Sequence, residues 1–210
     1  KTAYEIYQCD WSSTCALPIL REAGIEAKAN GTQGFDHGTW VPLLHMYPDA
    51  DVPVLQVALG AGDGPEQTFR FGQALASLRE REILIIGSGS LTHNLNEFRF
   101  GAHEPAPYVN EFSQWIRQAI EKKDVDALLD YRRRAPHARR AHPSEDHLLP
   151  LFFAWGAAYK PQGSMRHIDG GVRYGMLSMD AFMFGDMTVE QRHAMPPQPG
   201  SVNRSLVDVS

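Results

Sequence analysis

Apolar residues recur at helical spacing in several parts of the chain, and these parts carry the clearest structural predictions. The pattern over residues 69–78 and 112–120 predicts two amphipathic helices. Residues 148–158 are apolar throughout and predict a buried helix, with Pro150 in the first turn, where its missing N–H costs nothing. Two shorter helices are predicted at residues 19–24, ending at Gly24, and at residues 125–131, after an Asp124 cap.

Short apolar runs bounded by turn residues predict the strands. Residues 52–59 follow a Tyr-Pro-Asp turn, residues 83–86 stop at a Gly-Ser-Gly-Ser loop, and residues 177–184 form a last run. The order strand, helix, strand, loop over residues 52–90 is typical of parallel neighbours. We therefore predict an α/β fold, with a central mixed or mostly parallel sheet flanked by helices and incomplete at the N-terminus.

The two ends of the chain differ from its middle. Residues 1–18 have no clean period and no initiator Met, which predicts an atypical or truncated N-terminal edge. Residues 186–210 are polar and rich in proline, which predicts a loose C-terminal tail. A single domain is expected over residues 19–185.

Composition and charge exclude several classes of function. A net charge of -5 without a long basic run argues against nucleic-acid binding, so a small molecule is the expected partner. No run reaches the roughly 18 apolar residues of a membrane span, and no signal peptide is recognised, which predicts a cytoplasmic protein. The arginine-rich stretch 132–140 is interpreted as a solvated face or helix end, and Cys9 and Cys15 as incidental thiols.

The chain contains nine histidines, and three of them lie in segments dense in turn residues. These are His37, His93 and His147, and His93 lies in the loop after the predicted strand 83–86, where α/β sheets bind ligands. A single histidine is more often structural than functional, and neither the HExxH signature nor the zinc-deaminase signature is present. Asn94, next to His93, is expected to orient the His93 ring. Spacing alone therefore leaves the reaction open.

Four segments resemble one known family. Residues 34–43, 46–54, 85–95 and 142–151 are similar, in the same order, to segments of the class III extradiol ring-cleaving dioxygenases, within the superfamily of the catalytic B subunit of protocatechuate 4,5-dioxygenase. The likeness to the DOPA 4,5-dioxygenase type runs over residues 34–184, including the helix that links the motifs.

This resemblance implies a non-haem Fe(II) enzyme that opens the ring of a DOPA-like catechol and inserts both atoms of O2. It implies that His147 is a metal ligand and that His37 contacts substrate or oxygen. His93 resembles the acid/base group or, in zinc-containing relatives, a further metal ligand, so Zn(II) is the alternative metal. For His142, five positions before His147, a structural role is favoured.

The chain departs from the family in its first part. The family's His-Gly-x-Pro turn and Ser-Ala-His-Trp-like segment each supply a metal-binding histidine, whereas no histidine precedes His37. We therefore expect a truncated protein that is inactive by itself. Two other functions stay open: a non-catalytic metal-binding or interaction protein on the same scaffold, and a zinc-dependent hydrolase. The sequence does not decide between a monomer and a homo-oligomer.

Overall fold

The chain begins with a small mixed sheet. The computed structural model describes residues 4–7, 10–102, 104–160 and 163–185, and describes side chains from residue 16 onward. Strand β1 (Tyr4–Tyr7) runs parallel to β2 (Ala27–Asn30) and antiparallel to β3 (Gln56–Val57). The predicted tail, Cys9 and His103 lie outside the described residues.

Helix α1 (Asp10–Glu22) begins earlier than predicted. The predicted end is confirmed, because Gly24 has a φ of 72° and follows the last turn in the left-handed conformation that glycine adopts readily. Ala16 and Leu20 lie one turn apart and are buried against the sheet side of the molecule. Residues 1–18 thus contain β1 and the first part of α1, although two inward positions are too few to reveal a helical period in the sequence. The atypical or truncated N-terminal edge stays a prediction.

Helix α2 (His37–Met46) begins at an N-cap formed by Asp36, whose side chain accepts a hydrogen bond from the Thr39 amide at 2.9 Å. Its start is tied to β3 through Gln56, which accepts bonds from the Asp36 amide at 2.9 Å and from the Thr39 hydroxyl at 2.7 Å. None of the residues of α2 is buried.

The rest of the chain is mainly helical, and the strongest predictions of helices are confirmed. Helix α5 starts at the predicted Asp124 cap, which accepts a bond from the Ala127 amide. In the part of the chain that the structure describes, no helix is long and apolar enough to cross a membrane. The helices of this body are α3 (Pro65–Ala74), α4 (Pro107–Glu121), α5 (Val125–Leu129), α6 (Tyr131–Arg134), α7 (Ala138–Ala141) and α8 (Leu149–Ala158), with 3-10 turns at Ala76–Arg81 and Leu95–Glu97.

Helices α3 and α8 connect two hydrophobic cores. The main core joins Phe69 of α3 to α4 and α8, and the ring of Phe69 lies 5.0 Å from that of Trp155. The second core contains Phe71 of α3 and Phe153 of α8, together with residues of α1. Each of the two helices thus contributes side chains to both cores, and α8, which is apolar throughout, has six buried residues.

The predicted mixture of helices and strands is confirmed, but the described residues form three small sheets and no large central sheet. Residues 83–86 form no strand in the described structure: Ile83 and Ile85 pack on the second core, whereas 62% of Leu84 is exposed. The segment is extended, but no described segment pairs with it to give ladder hydrogen bonds. Of the other two predicted strands, residues 52–59 form only the short strand β3, and residues 177–184 form two separate strands. Strand β6 (Leu177–Ser178) pairs with β5 (Val172–Arg173), and β7 (Ala181–Phe184) pairs with β4 (Met165–Ile168).

Candidate active site

The imidazole rings of His93 and His147 lie face to face. Their centroids are 3.5 Å apart and their planes are inclined by 6°. His93 lies in the loop that follows the extended segment 83–86, and His147 lies just before the first turn of α8. The fold thus brings together two of the three histidines singled out in the sequence.

Glycines allow the His93 loop to approach the start of α8. A Cβ on Gly87 would clash with the carbonyl oxygen of Pro150, and a Cβ on Gly89 would clash with that of His147. Between them and His93, the Ser90 amide donates to the His147 carbonyl at 2.8 Å. The Gly-Ser-Gly-Ser sequence is therefore required by backbone contact beside the histidine pair.

The same loop is also fixed by the hairpin of β5 and β6. Thr92 is fully buried; its hydroxyl donates to the Met176 carbonyl and accepts from the Ser178 amide, both at 2.9 Å. A backbone bridge between Thr92 and Ser178 adds to this contact. Residues on both sides of the loop therefore restrict the position of His93.

A carboxylate adjoins the histidine pair. Oδ2 of Asp146 lies 2.7 Å from Nδ1 of His147, close enough for an ion pair, although the ring nitrogen does not meet the geometry of a hydrogen bond. The pKa of Asp146 is lowered, chiefly by a hydrogen bond from Ser144 and also by His147. Asp146 was not among the site residues predicted from the sequence, although an acidic residue directly before a ligand-type histidine was a usable signal.

The pKa of His93 is affected by burial and by the neighbouring imidazole of His147. The pKa of His93 is lowered, first by partial burial and then by His147, while Asp146 opposes the shift. A lowered pKa increases the neutral fraction of His93 near neutral pH. Neutral imidazole is the form that accepts a proton from a substrate.

The stacked rings restrict how a metal ion can bind. A ligand nitrogen bonds a metal at about 2.1 Å in the plane of its ring. With the rings 3.5 Å apart and nearly parallel, an ion in the plane of one ring lies too far from the plane of the other. Moreover, the described residues contain no group of three or more His, Cys, Asp or Glu side chains that could hold a metal ion. As arranged, these residues offer one imidazole and do not complete a metal site.

His37 occupies the first position of α2 and is exposed. A Cβ on the next residue, Gly38, would lie 3.7 Å from the Ser88 hydroxyl, so the helix begins beside the loop that carries His93. The segments of all three predicted histidines are therefore neighbours. The contact of His37 with substrate or oxygen stays a prediction.

Two other predictions concern residues around the pair. Asn94 was expected to orient the His93 ring, but its side chain donates instead to the Arg140 carbonyl at 2.7 Å and accepts from the Asn96 amide. The arginine-rich stretch forms structural contacts: Arg133 pairs with Asp130, and Arg140 pairs with Glu97 at 2.7 Å. The absence of a chemical role for this stretch stays a prediction.

Comparison with known proteins shows similarity to one family of dioxygenases. Residues 15–172 match the family described as the catalytic LigB subunit of aromatic ring-opening dioxygenase. The chain is 40% identical over 126 residues to the 4,5-DOPA dioxygenase extradiol of Beta vulgaris, covering 60% of this chain and 47% of that protein. It is 31% identical over 150 residues to the enzyme of the same name from Mirabilis jalapa, covering 71% and 56%. The chain thus spans about half the length of these curated relatives.

A solved structure supports the fold. The crystal structure of an uncharacterized protein from Escherichia coli K12 superposes with a TM-score of 0.74 at 24% identity, covering 88% of this chain and 81% of that one. The similarity in fold therefore extends over most of the chain.

Proposed function

Since the chain belongs to the family of the catalytic LigB subunit of aromatic ring-opening dioxygenase, we propose that it acts as an extradiol dioxygenase that opens a catechol ring with O2. The observation that carries the proposal is the stacked pair of His93 and His147. The pair lies inside the matched region, and glycine-dependent backbone contacts hold it in place. Proton transfer needs such a fixed imidazole within reach of the reacting group.

We assign the role of proton carrier to His93. Loss of a catechol proton requires a neutral base, and both burial and His147 keep the pKa of His93 below its ordinary value. The loop contacts limit movement of the ring, so the base would be in position before substrate binds. The parallel rings favour this role over that of a second metal ligand. His37, at the start of α2, is assigned a contact with substrate or oxygen.

Fe(II) is the proposed metal, with Zn(II) as the alternative, and His147 is the proposed ligand from this chain. The Asp146 carboxylate lies 2.7 Å from His147 Nδ1, and its negative charge would increase the basicity of the ring. Since the described residues do not complete a metal site, we expect residues 1–210 alone to bind iron weakly and to be inactive. Metal analysis after anaerobic loading and dialysis checks this expectation, and stoichiometric iron with steady turnover would contradict it.

The proposed substrate is a DOPA-like catechol. The curated relatives carry DOPA in their names, and an aromatic surface lies near the His93 loop. In that surface the rings of Phe98 and Tyr174 are 4.6 Å apart, and both side chains are exposed. Exposed aromatic rings on an ordered turn can pack against the ring of a substrate.

The test compares the protein as its gene encodes it, loaded with Fe(II) under argon, with three variants. Oxygen uptake and the visible absorbance of the ring-opened product are recorded with DOPA. We expect His147→Ala to lose bound iron, and His93→Gln to keep iron while turnover falls about 100-fold or more. His45→Ala, at the exposed end of α2, serves as the control and should resemble the wild type. Absence of oxygen uptake in iron-replete wild type would favour a non-catalytic or hydrolytic function.

A further inference from the structure

A ladder of three hydrogen bonds fixes the His93 loop to the segment that precedes Pro143. The Asn94 side chain donates to the Arg140 carbonyl at 2.7 Å, and the His93 amide donates to the Ala141 carbonyl at 2.9 Å. In the third bond, Nε2 of His142 donates to the Leu91 carbonyl at 2.9 Å. In the first two bonds the donors, Asn94 and His93, belong to the loop. In the third bond the donor is the His142 side chain, which lies outside the loop.

His142 is placed to act as a fixed neutral donor. Its side chain is fully buried, 5.7 Å from the ring of Phe112, and burial lowers its pKa to about 4. The carbonyl partner requires the proton on Nε2, so Nδ1 carries none near neutral pH. Among the described residues, this buried Nδ1 has no hydrogen-bond partner. The Arg132 guanidinium donates to the main-chain carbonyl of His142 and holds the backbone from the other side.

We propose that His142 is a positioning residue of the candidate active site: its Nε2–H holds the Leu91 carbonyl and thereby keeps the His93 ring stacked on His147. Leu91 lies two residues before His93, so movement of its carbonyl is transmitted directly to the loop. Without the donor, this carbonyl would be left in a buried region without a partner, which favours rotation of the peptide. Rings in contact at 3.5 Å lose their stacking after a small displacement.

The expected effect of His142 on catalysis rests on the proposed function. Its expected effect on the position of the His93 ring does not. Displacement of His93 would reduce proton transfer without removing a group that binds substrate. We therefore expect the His142 variants to lower kcat and to leave KM nearly unchanged.

The experiment uses NMR of the protein labelled with ¹³C in its histidine rings. A cross-relaxation signal between ring protons of His93 and His147 reports the stacking directly. His142→Leu removes the donor at similar volume, and His142→Gln places an amide N–H near the position of Nε2. Tyr131→Phe is the control, because it removes a partly buried hydrogen bond, from the Tyr131 hydroxyl to Glu145 at 2.8 Å.

We expect the signal to fall at least threefold in His142→Leu and to persist in His142→Gln and Tyr131→Phe. An unchanged signal in His142→Leu, or an equal loss in Tyr131→Phe, would overturn the positioning role. If His142→Leu does not fold, His142→Gln decides: a retained signal supports the role, and a lost signal overturns it. Turnover is measured separately in the protein as its gene encodes it, with an expected tenfold loss of kcat in His142→Leu and recovery in His142→Gln. Should the NMR result hold while even the wild type shows no oxygenase activity, the proposed function fails and the positioning role stands.

Discussion

Helices α2 and α8 both contain ten residues, both include a proline, and both are mainly apolar, yet their surroundings differ. Six residues of α8 are buried, among them Phe152 and Trp155. In α2 none is buried, and about half of the Trp40 and Leu44 side chains is exposed. Helix α8 packs against α3 and lies between two cores, whereas α2 is tied to β3 by polar contacts at its first turn.

The comparison shows that apolar composition does not by itself bury a helix. Burial requires a complementary surface, which α3 gives to α8 and which the described residues do not give to α2. The difference extends to the candidate site. His147 precedes the buried helix and has a restricted ring, while His37 begins the exposed helix and has fewer contacts that fix it.

The largest effect is expected when the packed helix loses a core ring. Phe152→Ala should lower the free energy of unfolding by about 4 kcal/mol, because Phe152 is fully buried in the main core. Leu44→Ala, at an exposed position of α2, should change it by no more than about 0.5 kcal/mol. Urea denaturation followed by circular dichroism measures both. Similar losses in the two variants would show that α2 is packed as well as α8.

Acid should destabilise the packed region through His142. Its pKa is lowered to about 4 in the folded protein from 6.5, so the unfolded chain binds the extra proton between these values. Above pH 6.5 the neutral ring contributes its full stabilisation of about 3 kcal/mol. This contribution is lost as the pH decreases from 6.5 towards 4. Denaturation curves at pH 7 and pH 4.5, compared between wild type and His142→Gln, check the sign. An equal pH dependence of the free energy of unfolding in both proteins would show that His142 does not cause the loss of stability in acid.

A smaller loss is expected where α3 and α8 cross. A Cβ on Gly156 would clash with the carbonyl oxygen of Phe69, and a Cβ on Gly72 would clash with that of Phe153. Gly156→Ala should therefore cost about 2 kcal/mol through separation of the two helices. Gly34→Ala is the matched control, since its Cβ would meet no atom within 4 Å. Thermal denaturation of the two variants tests this, and a stable Gly156→Ala protein would mean that the helices are less closely packed.

The smallest effect on stability is expected from Trp40→Ser in α2. Because about half of this side chain is already exposed, the free energy of unfolding should change by no more than about 0.5 kcal/mol. Binding of a hydrophobic dye such as ANS should decrease, since an exposed apolar ring is removed. A marked loss of stability together with unchanged dye binding would show that Trp40 is covered in solution.

The candidate site was predictable from sequence where chemistry is carried by a residue and its immediate neighbours. His93 and His147 stand in segments whose motifs resemble those of the family, and both lie in the region that the family match covers. The contacts that restrict them were not predictable in the same way. Asn94 was assigned to the wrong partner, because the carbonyl of Arg140 approaches it only in the folded chain.

The sequence by itself determined the helices of the body, since local periodicity and caps act over a few residues and are strengthened by burial of one face. Tertiary structure decided the strands, because an extended segment such as residues 83–86 becomes a strand only when a distant segment supplies ladder hydrogen bonds. It also decided the stacking of His93 on His147, which depends on backbone contacts between a glycine loop and the start of α8. Such contacts join residues far apart in the chain, so no local pattern records them.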